Sequence, residues 1–281
     1  MLRRRMFPIR VAVALAICTT LSATALAQWP RYPTPGVPRL PDGKPNLNAP
    51  APRTADGTPD LSGNWEVPGG FGPTQRPPAP PPGEPPVAYF WNAGAGFPND
   101  LPFQPWAAEL KKKRMSEDSK DNPDAWCLPM GFMQFHTHPQ PRTIVQTKNL
   151  IVIIYEANYG LRTIYMDGRP APDNDPQPWW YGYSRGRWEG DTLVVDTTNY
   201  RGDEKAAWLD VNGSPYTDAL KTTERFRRPN FGRLEIDITV DDAKAYTQPW
   251  TVRVNQNIMV DSELIETVCI ENEQSSKRFA K

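Results

Sequence analysis

The sequence predicts a mainly β fold, an antiparallel up-and-down barrel or sandwich that follows a proline-rich N-terminal arm and one short helix. Three observations support this. From about residue 127 the apolar residues recur with a period of two, turn residues separate the extended segments at hairpin spacing, and no helical pattern interrupts them. About 140 residues of this kind are enough to enclose a core and leave a cavity.

The clearest hairpin covers residues 182–200. Its first arm is Gly182 to Trp188, the turn is Glu189-Gly190-Asp191, and the second arm is the β-branched run from Thr192 to Tyr200. Valine, threonine and aromatic residues favour the pleated surface of a strand, and glycine beside aspartate favours a tight turn.

Seven further extended segments bring the predicted total to about nine strands. Residues 234–240 alternate strictly between apolar and polar, which predicts one solvated face. Residues 151–154 are continuously apolar, which predicts burial on both faces. The seven segments cover residues 142–147, 150–156, 162–166, 222–228, 234–241, 249–255 and 263–271.

The chain divides by composition into a signal peptide (1–27), a proline- and glycine-rich extended arm (28–105) and an antiparallel β domain (106–281). A faint repeat in the arm, residues 42–47 and 56–61, reads in each copy as a turn followed by a leucine. One helix is predicted over residues 103–114, where Pro105 suits the first turn.

Residues 1–27 have the form of a secretory signal, with a basic start, a short apolar core and a small-residue cleavage site at Ala25-Leu26-Ala27. Arg4-Arg5 also suits a twin-arginine signal, and both export routes remain open. We therefore expect a periplasmic or secreted protein. No later segment is long and apolar enough to span a membrane. The oligomeric state is left open.

Charge and cysteine content restrict the partners and the compartment. Removal of the signal leaves 28 basic and 32 acidic residues, a net charge of −4 without a basic stripe, so nucleic acid is not an expected partner. Cys18 leaves with the signal. In an oxidising compartment the remaining Cys127 and Cys269 predict a disulfide bond.

Several motifs in the C-terminal half resemble those of a known family. They are GYSRGRWEGDTLVVDT (182–197), DGR (167–169), WLD (208–210), ERFRR (224–228) and YTQPWT (246–251). With these motifs the last 150 residues resemble an uncharacterised family of exported bacterial proteins, a likeness that implies no activity. The turn within the first motif also resembles hairpins of lipocalin-like barrels, which implies an up-and-down barrel. Relatives usually lack His136 and His138, so the resemblance supports neither as a catalyst.

The two histidines are candidates for a metal site. His136 and His138 would point to the same side of a strand, and Glu156 or Asp167 would supply a third ligand. A pair of exposed or hydrogen-bonded histidines is the alternative. No other cofactor is expected.

Two arginines, Arg225 and Arg227, share one face of a predicted strand. If that face points inward, the two guanidinium groups would bind a carboxylate or phosphate. The alternative is a cross-strand ion-pair ladder with Glu235, Asp237 or Asp241.

Acid–base chemistry has candidates on neighbouring arms of one hairpin. Glu156, Arg162, Tyr165 and Asp167, with His136, are the candidate catalytic residues. Simple structural pairing of Glu156 with Arg162 is the alternative.

The densest aromatic cluster supplies the candidate ligand-binding residues Trp179, Trp180, Tyr183 and Trp188. Aromatic side chains in a cavity bind sugar rings, phenolics or other flat apolar groups, whereas in a core they only pack. The sequence therefore favours a barrel that binds a small aromatic, sugar-like or amphipathic ligand. The alternatives are an enzyme (a lyase, isomerase or hydrolase) acting on a sugar or phenolic compound in the same cavity, and an interaction module whose proline-rich arm docks on a partner.

Overall fold

The computed structural model describes residues 33–68, 80–172, 177–274 and 277–278. The predicted signal peptide (1–27) lies outside these residues. The described chain forms a closed barrel of nine strands, which confirms the mainly β prediction. Within the described part, no helix has the length and hydropathy needed to cross a bilayer.

The described residues form nine strands and three short helices. The strands are β1 (Gly63–Glu66), β2 (Arg142–Gln146), β3 (Leu150–Tyr155), β4 (Leu161–Tyr165), β5 (Tyr183–Glu189), β6 (Thr192–Thr198), β7 (Lys221–Asn230), β8 (Arg233–Asp241) and β9 (Trp250–Met259). The helices are α1 (Pro105–Ser116), α2 (Phe132–Thr137) and α3 (Cys269–Asn272), with 3₁₀ turns at Pro123–Trp126 and Ala157–Tyr159.

Each strand pairs with its neighbours in the chain, and β9 returns to pair with β1. All pairs are antiparallel except β4 with β5, which run parallel through Ile164↔Ser184 and Tyr165↔Arg185. The meander therefore has one crossover, because the connection over residues 166–182 returns the chain to the same end of the barrel before β5 begins.

The first and last predicted elements differ from the structure. The strand predicted over residues 263–271 is wrong, because residues 263–268 have no regular structure and Cys269 begins α3. The strand that closes the barrel is instead β1, inside the segment predicted to be an extended arm. The barrel therefore begins at Gly63, before the division we placed after residue 105.

The helix predicted over residues 103–114 is α1, displaced by two residues. Its buried side includes charged residues whose polar ends find partners. The ammonium of Lys111 lies 2.7 Å from Asp100 Oδ2, and the guanidinium of Arg114 donates to the carbonyls of Ala207 and Gly213. Because both stems are buried and both charged ends are paired, this helix packs with little apolar surface.

The two turn repeats of the arm fold alike and attach the arm to the barrel. Arg39 and Arg53 each donate to the carbonyl of the glycine four residues later. Arg39 also pairs through Nη2 with both carboxylate oxygens of Asp261, just after β9, and Arg53 forms a forked ion pair with Asp191 in the turn between β5 and β6. Glycine is required at position 43, and likewise at 57, because the backbone φ there is +83° and +86°.

The predicted disulfide bond between Cys127 and Cys269 is present, with the two Cα atoms 5.6 Å apart. It joins the end of a 3₁₀ turn to α3. The segment after β9 is therefore fixed at its start, where Asp261 binds Arg39, and near its end.

Residues 151–154 are predicted to be buried on both faces of the strand, but in the structure only the inward face is buried. Ile151 and Ile153 are buried inside the barrel, whereas Val152 and Ile154 face outward and Ile154 is 38% exposed.

Candidate functional site

A cluster of charged side chains lies inside the barrel. Arg162 on β4 forms a two-pronged ion pair with Glu224 on β7, in which the distance between Arg162 Nη1 and Glu224 Oε1 is 2.9 Å. His136, at the end of α2, approaches the same carboxylate, with His136 Nε2 2.7 Å from Glu224 Oε1. All three side chains are buried, with no more than 2% exposure.

Hydroxyl groups complete the surroundings of Arg162. Its guanidinium donates to the hydroxyls of Ser184 and Thr197, which lie 2.9 Å from each other. Ser184 on β5 points into the barrel. Thr197 is its partner on β6, so the two side chains lie next to each other on the inner face. Every guanidinium nitrogen of Arg162 therefore has an acceptor, as a buried arginine requires.

The protonation of the cluster follows from its geometry. Burial disfavours ionised Glu224, but the charge and hydrogen bonds of Arg162 outweigh burial and lower the pKa of Glu224 to about 2. Burial lowers the pKa of His136, so its imidazole is neutral at pH 7. We assign its proton to Nε2, where the ionised carboxylate accepts it. His136 Nδ1 then carries a lone pair and has no partner among the described residues.

A second arginine fastens α2 to the barrel. Arg142, at the start of β2, donates to the backbone carbonyls of His136, His138 and Gln140. The side chain of Gln256 on β9 also donates to the carbonyl of His136. These bonds hold the C-terminal end of α2 against β2 and β9, which fixes the position of His136.

A cavity lined by described residues lies outside the barrel, between α1 and the loop before β7. We call it the α1 groove. It has a volume of about 540 Å³ and is lined by Leu110, Lys113, Arg114, Glu117, Asp121, Trp126, Leu128, Glu204, Lys205 and Trp208.

Aromatic and aliphatic surface forms one part of the α1 groove. Trp126 is 37% exposed and Leu128 is 36% exposed, and they flank Cys127 of the disulfide bond. The Arg114 guanidinium stacks over the ring of Trp208 at 4.0 Å, and burial lowers the pKa of Arg114 to about 10. The disulfide thus anchors the Trp126–Leu128 wall, and the stacked arginine fixes a cation beside an aromatic ring.

Trp208 of the α1 groove contacts the start of α2. A Cβ added at Gly131, just before α2, would lie 1.8 Å from the carbonyl oxygen of Trp208, so only glycine fits there. Gln134 of α2 donates to the same oxygen at 3.3 Å. Trp208 therefore packs between the groove and α2, and α2 carries His136 into the charged cluster.

The predicted metal-site histidines do not lie on a strand. His136 is in α2 and His138 follows it, with its ring edge-on to Phe90 at 4.6 Å. Of the proposed third ligands, Glu156 accepts from the backbone of Ile265, and Asp167 lies on the surface. The described residues contain no group of three or more His, Cys, Asp or Glu arranged to hold a metal ion.

Arg225 and Arg227 point outward, so the structure follows the ladder alternative. Arg225 contacts Glu189 at 3.1 Å, and Arg227 contacts Asp237 at 3.2 Å and Glu235 at 3.5 Å. The inward face of the same strand carries Glu224 instead.

The candidate catalytic residues are divided between the interior and the surface. Arg162 and His136 meet at Glu224, whereas Glu156 does not bind Arg162. Tyr165 lies under the guanidinium of Arg169, which is paired in turn with Asp167.

The candidate aromatic residues are likewise separated. Tyr183 stacks on Tyr165 outside the barrel with ring centres 5.1 Å apart, and Trp179 packs against Tyr183 at a tilt with ring centres 5.2 Å apart. Trp180 stacks with Arg201. Trp188 is half-buried and packs against the core.

The residues of the α1 groove are not among the site residues predicted from the sequence. Trp126, Leu128 and Trp208 are isolated in the sequence and come together only through the fold. The disulfide prediction offered one usable signal, because it fixes Trp126 and Leu128 beside a rigid cross-link.

Comparison of the chain with protein-family models, curated proteins and solved structures finds no match.

Proposed function

We propose that the protein binds a small amphipathic ligand with an aromatic or aliphatic portion in the α1 groove. The supporting observation is the groove itself, in which exposed Trp126 and Leu128 lie on a disulfide-anchored wall beside the stacked Arg114. A concave apolar surface with a few fixed polar groups is typical of small-molecule sites.

The charges around the groove favour a ligand with a polar end. Lys113 and Lys205 are exposed and form no ion pair within the described part of the chain, and Asp121 and Glu204 place the opposite charge along the same groove. A hydroxylated or zwitterionic end group would therefore find both donors and acceptors at the rim while the ring or chain packs on Trp126.

The barrel interior supports this function less well. Arg162 and Glu224 neutralise each other, and His136 Nδ1 is the one side-chain atom of these three residues without a partner in the part of the chain that the structure describes. A substrate in the barrel would have to displace side chains that are buried and already paired, so we place the ligand outside it.

Isothermal titration calorimetry against phenolics, sugars and fatty acids tests the proposal. Trp126→Ala should weaken the affinity for a binding compound at least tenfold, because the ligand loses its stacking surface. Trp106→Ala is a matched control, because Trp106 is also exposed and also donates its indole N–H to one backbone carbonyl.

Two results would contradict the proposal. One is the absence of binding by every class in the panel. The other is an equal loss of affinity in the Trp126 and Trp106 variants.

We further propose that the protein acts after export, in the periplasm or outside the cell. The disulfide bond between Cys127 and Cys269 supports this location, as does the signal-like sequence at residues 1–27. Mass spectrometry of the protein recovered from the host should show cleavage after Ala27, and an uncleaved N-terminus would contradict the proposal.

A further inference from the structure

The disulfide bond joins two surface segments that contain no buried residue. The first covers residues 124–129 and includes the Trp126–Leu128 wall of the α1 groove. The second is the C-terminal strap, which we define as residues 260–271. Cys127 and Cys269 are themselves only half-buried. Packing therefore fixes neither segment, and the bond lies within reach of a thiol in solution.

The noncovalent ties of the two segments are hydrogen bonds near the surface. Asn158, in the connection between β3 and β4, donates to Asp124 Oδ1 at 2.9 Å and to the carbonyl of Leu128 at 3.3 Å. Glu156, in the same connection, accepts from the backbone N–H of Ile265 in the strap at 3.0 Å. Hydrogen bonds of this kind exchange readily for bonds to water, so they restrain a segment less firmly than a covalent cross-link does.

The backbone of Cys127 has a conformation that favours release of the wall. Its φ is +57°, in the left-handed region, which a residue with a Cβ rarely adopts. Such a conformation persists where the surrounding structure enforces it. Here the bond to Cys269 holds the residue, together with the hydrogen bond from its N–H to the carbonyl of Asp124. Opening the disulfide would remove one of these two restraints.

We propose that the bond between Cys127 and Cys269 is a redox switch that regulates the α1 groove, and that a dithiol opens it. One thiolate of the dithiol forms a mixed disulfide with one cysteine and releases the other. The second thiol then closes the disulfide of the reductant and releases the first cysteine, so two electrons pass to the protein. The wall separates from the strap, and the groove loses the fixed position of Trp126, on which the ligand packs.

The effect of reduction should be confined to the two segments. Neither segment contributes a residue to the barrel core, and the barrel is closed by the pairing of its own strands. This distinguishes the bond from a cross-link that holds a core together, whose loss would unfold the protein. Regulation of the groove rests on the proposed function, whereas release of the wall does not.

Hydrogen exchange measured by mass spectrometry tests the release of the wall. Treatment of the purified oxidised protein with dithiothreitol should raise the exchange rate in residues 122–131 and 260–271 by about tenfold or more, and should leave β7 and β8 unchanged. A bond that dithiothreitol does not open in the folded protein would overturn the proposal. So would unchanged exchange in residues 122–131 after reduction, or a loss of protection throughout the barrel.

The double substitution Cys127→Ser/Cys269→Ser is the control, because it has no bond to open. This variant should show the exchange rates of the reduced protein and should not respond to dithiothreitol. Should it not fold, wild-type protein that has been reduced and then alkylated with iodoacetamide replaces it. A response of either control to dithiothreitol would overturn the proposal.

Calorimetry with a compound that binds the oxidised protein tests the regulation of the groove. Reduction should weaken the affinity of the wild type by about tenfold or more, and dithiothreitol should leave the affinity of the double variant unchanged. Equal affinity of the oxidised and reduced wild type would overturn the switch and leave the proposed function standing. If no compound binds, the proposed function is contradicted, and hydrogen exchange decides whether the bond restrains the wall.

Discussion

Strands β7 and β8 are neighbours, and in both of them inward and outward residues alternate. Their inward residues differ in polarity. The inward residues of β7 are Thr222, Glu224, Phe226 and Arg228, whereas those of β8 are Leu234, Ile236, Ile238 and Val240. Glu224 lies directly opposite Ile238 in the register. A fully buried carboxylate and a fully buried isoleucine therefore occupy adjacent positions in one wall.

The difference shows that alternation identifies the two faces of a strand but not the chemistry of the inner one. β8 contributes only packing, which is non-directional. β7 contributes a charge that is tolerated because Arg162 and His136 reach it from β4 and α2. The inner face of β7 thus depends on distant parts of the chain, whereas that of β8 requires only apolar neighbours.

The largest effect is expected from Glu224→Gln. The amide cannot neutralise Arg162, which would remain charged in the barrel interior. Loss of one partner from a buried ion pair costs about 3–5 kcal/mol of the free energy of unfolding. Urea denaturation measures the loss, and a change below about 1 kcal/mol would show that water already screens this pair.

Replacing both charged partners sharpens this result. Arg162→Met combined with Glu224→Leu removes the whole pair and should recover most of the stability, since well-packed apolar residues often replace buried ion pairs without loss. If the double variant is as unstable as Glu224→Gln, then Ser184, Thr197 and His136 need the pair as a hydrogen-bonding partner.

A smaller effect is expected from Ile238→Ala on β8. The substitution leaves a cavity beside an intact ion pair and should cost about 3 kcal/mol. Differential scanning calorimetry at pH 7 measures it. The cost should not change with pH, because no titrating group is removed, and a pH-dependent cost would indicate that the cavity admits water to Glu224.

Lowering the pH should reduce the contribution of β7 to the free energy of unfolding but not that of β8. The pKa of Glu224 is about 2 in the folded protein and 4.5 as its ordinary value, so its stabilising contribution is complete above pH 4.5 and is lost as the pH falls toward 2. Between pH 5 and pH 3 this amounts to about 2 kcal/mol. Urea titrations at several pH values should show this slope in the wild type and in Ile238→Ala. Its persistence in Glu224→Gln would assign it to other carboxylates.

The smallest effect is expected on the outer face of β7. Arg225→Ala removes an exposed pair with Glu189, and exposed ion pairs contribute about 0.5 kcal/mol. The urea midpoint at low and high salt measures this contribution, which should vanish in high salt. A loss comparable with that of Glu224→Gln would mean that the outer ladder acts as a single cooperative unit.

Much of the barrel could be predicted from the sequence, because hairpin turns and alternation are local signals. Strands β2 to β9 lie close to the segments chosen for them, and α1 begins at Pro105 as its first-turn chemistry suggests. The pairing of Cys127 with Cys269 was also predicted, since removal of the predicted signal peptide would leave two cysteines, which allow only one intramolecular bond.

The remaining features depend on contacts between residues far apart in the sequence. β1 has only four residues and is defined as a strand by β2 and β9, not by its own composition. The site residues could not be assigned for the same reason. Glu156 is close in sequence to Arg162 and was the predicted partner, but the fold brings Glu224, 62 residues away, into contact with it.

The pairing of β1 with β9 has a consequence for biogenesis. These strands are separated by more than 180 residues. The barrel therefore cannot close until nearly the whole chain has been synthesised and its distant segments have come into contact. Until then β2 and β9 each present an unpaired row of backbone amides and carbonyls to other chains. Nascent chains that lack β9 and truncated molecules that lack residues 63–66 should therefore aggregate, and folding of this protein should depend strongly on chaperones that shield open sheet margins.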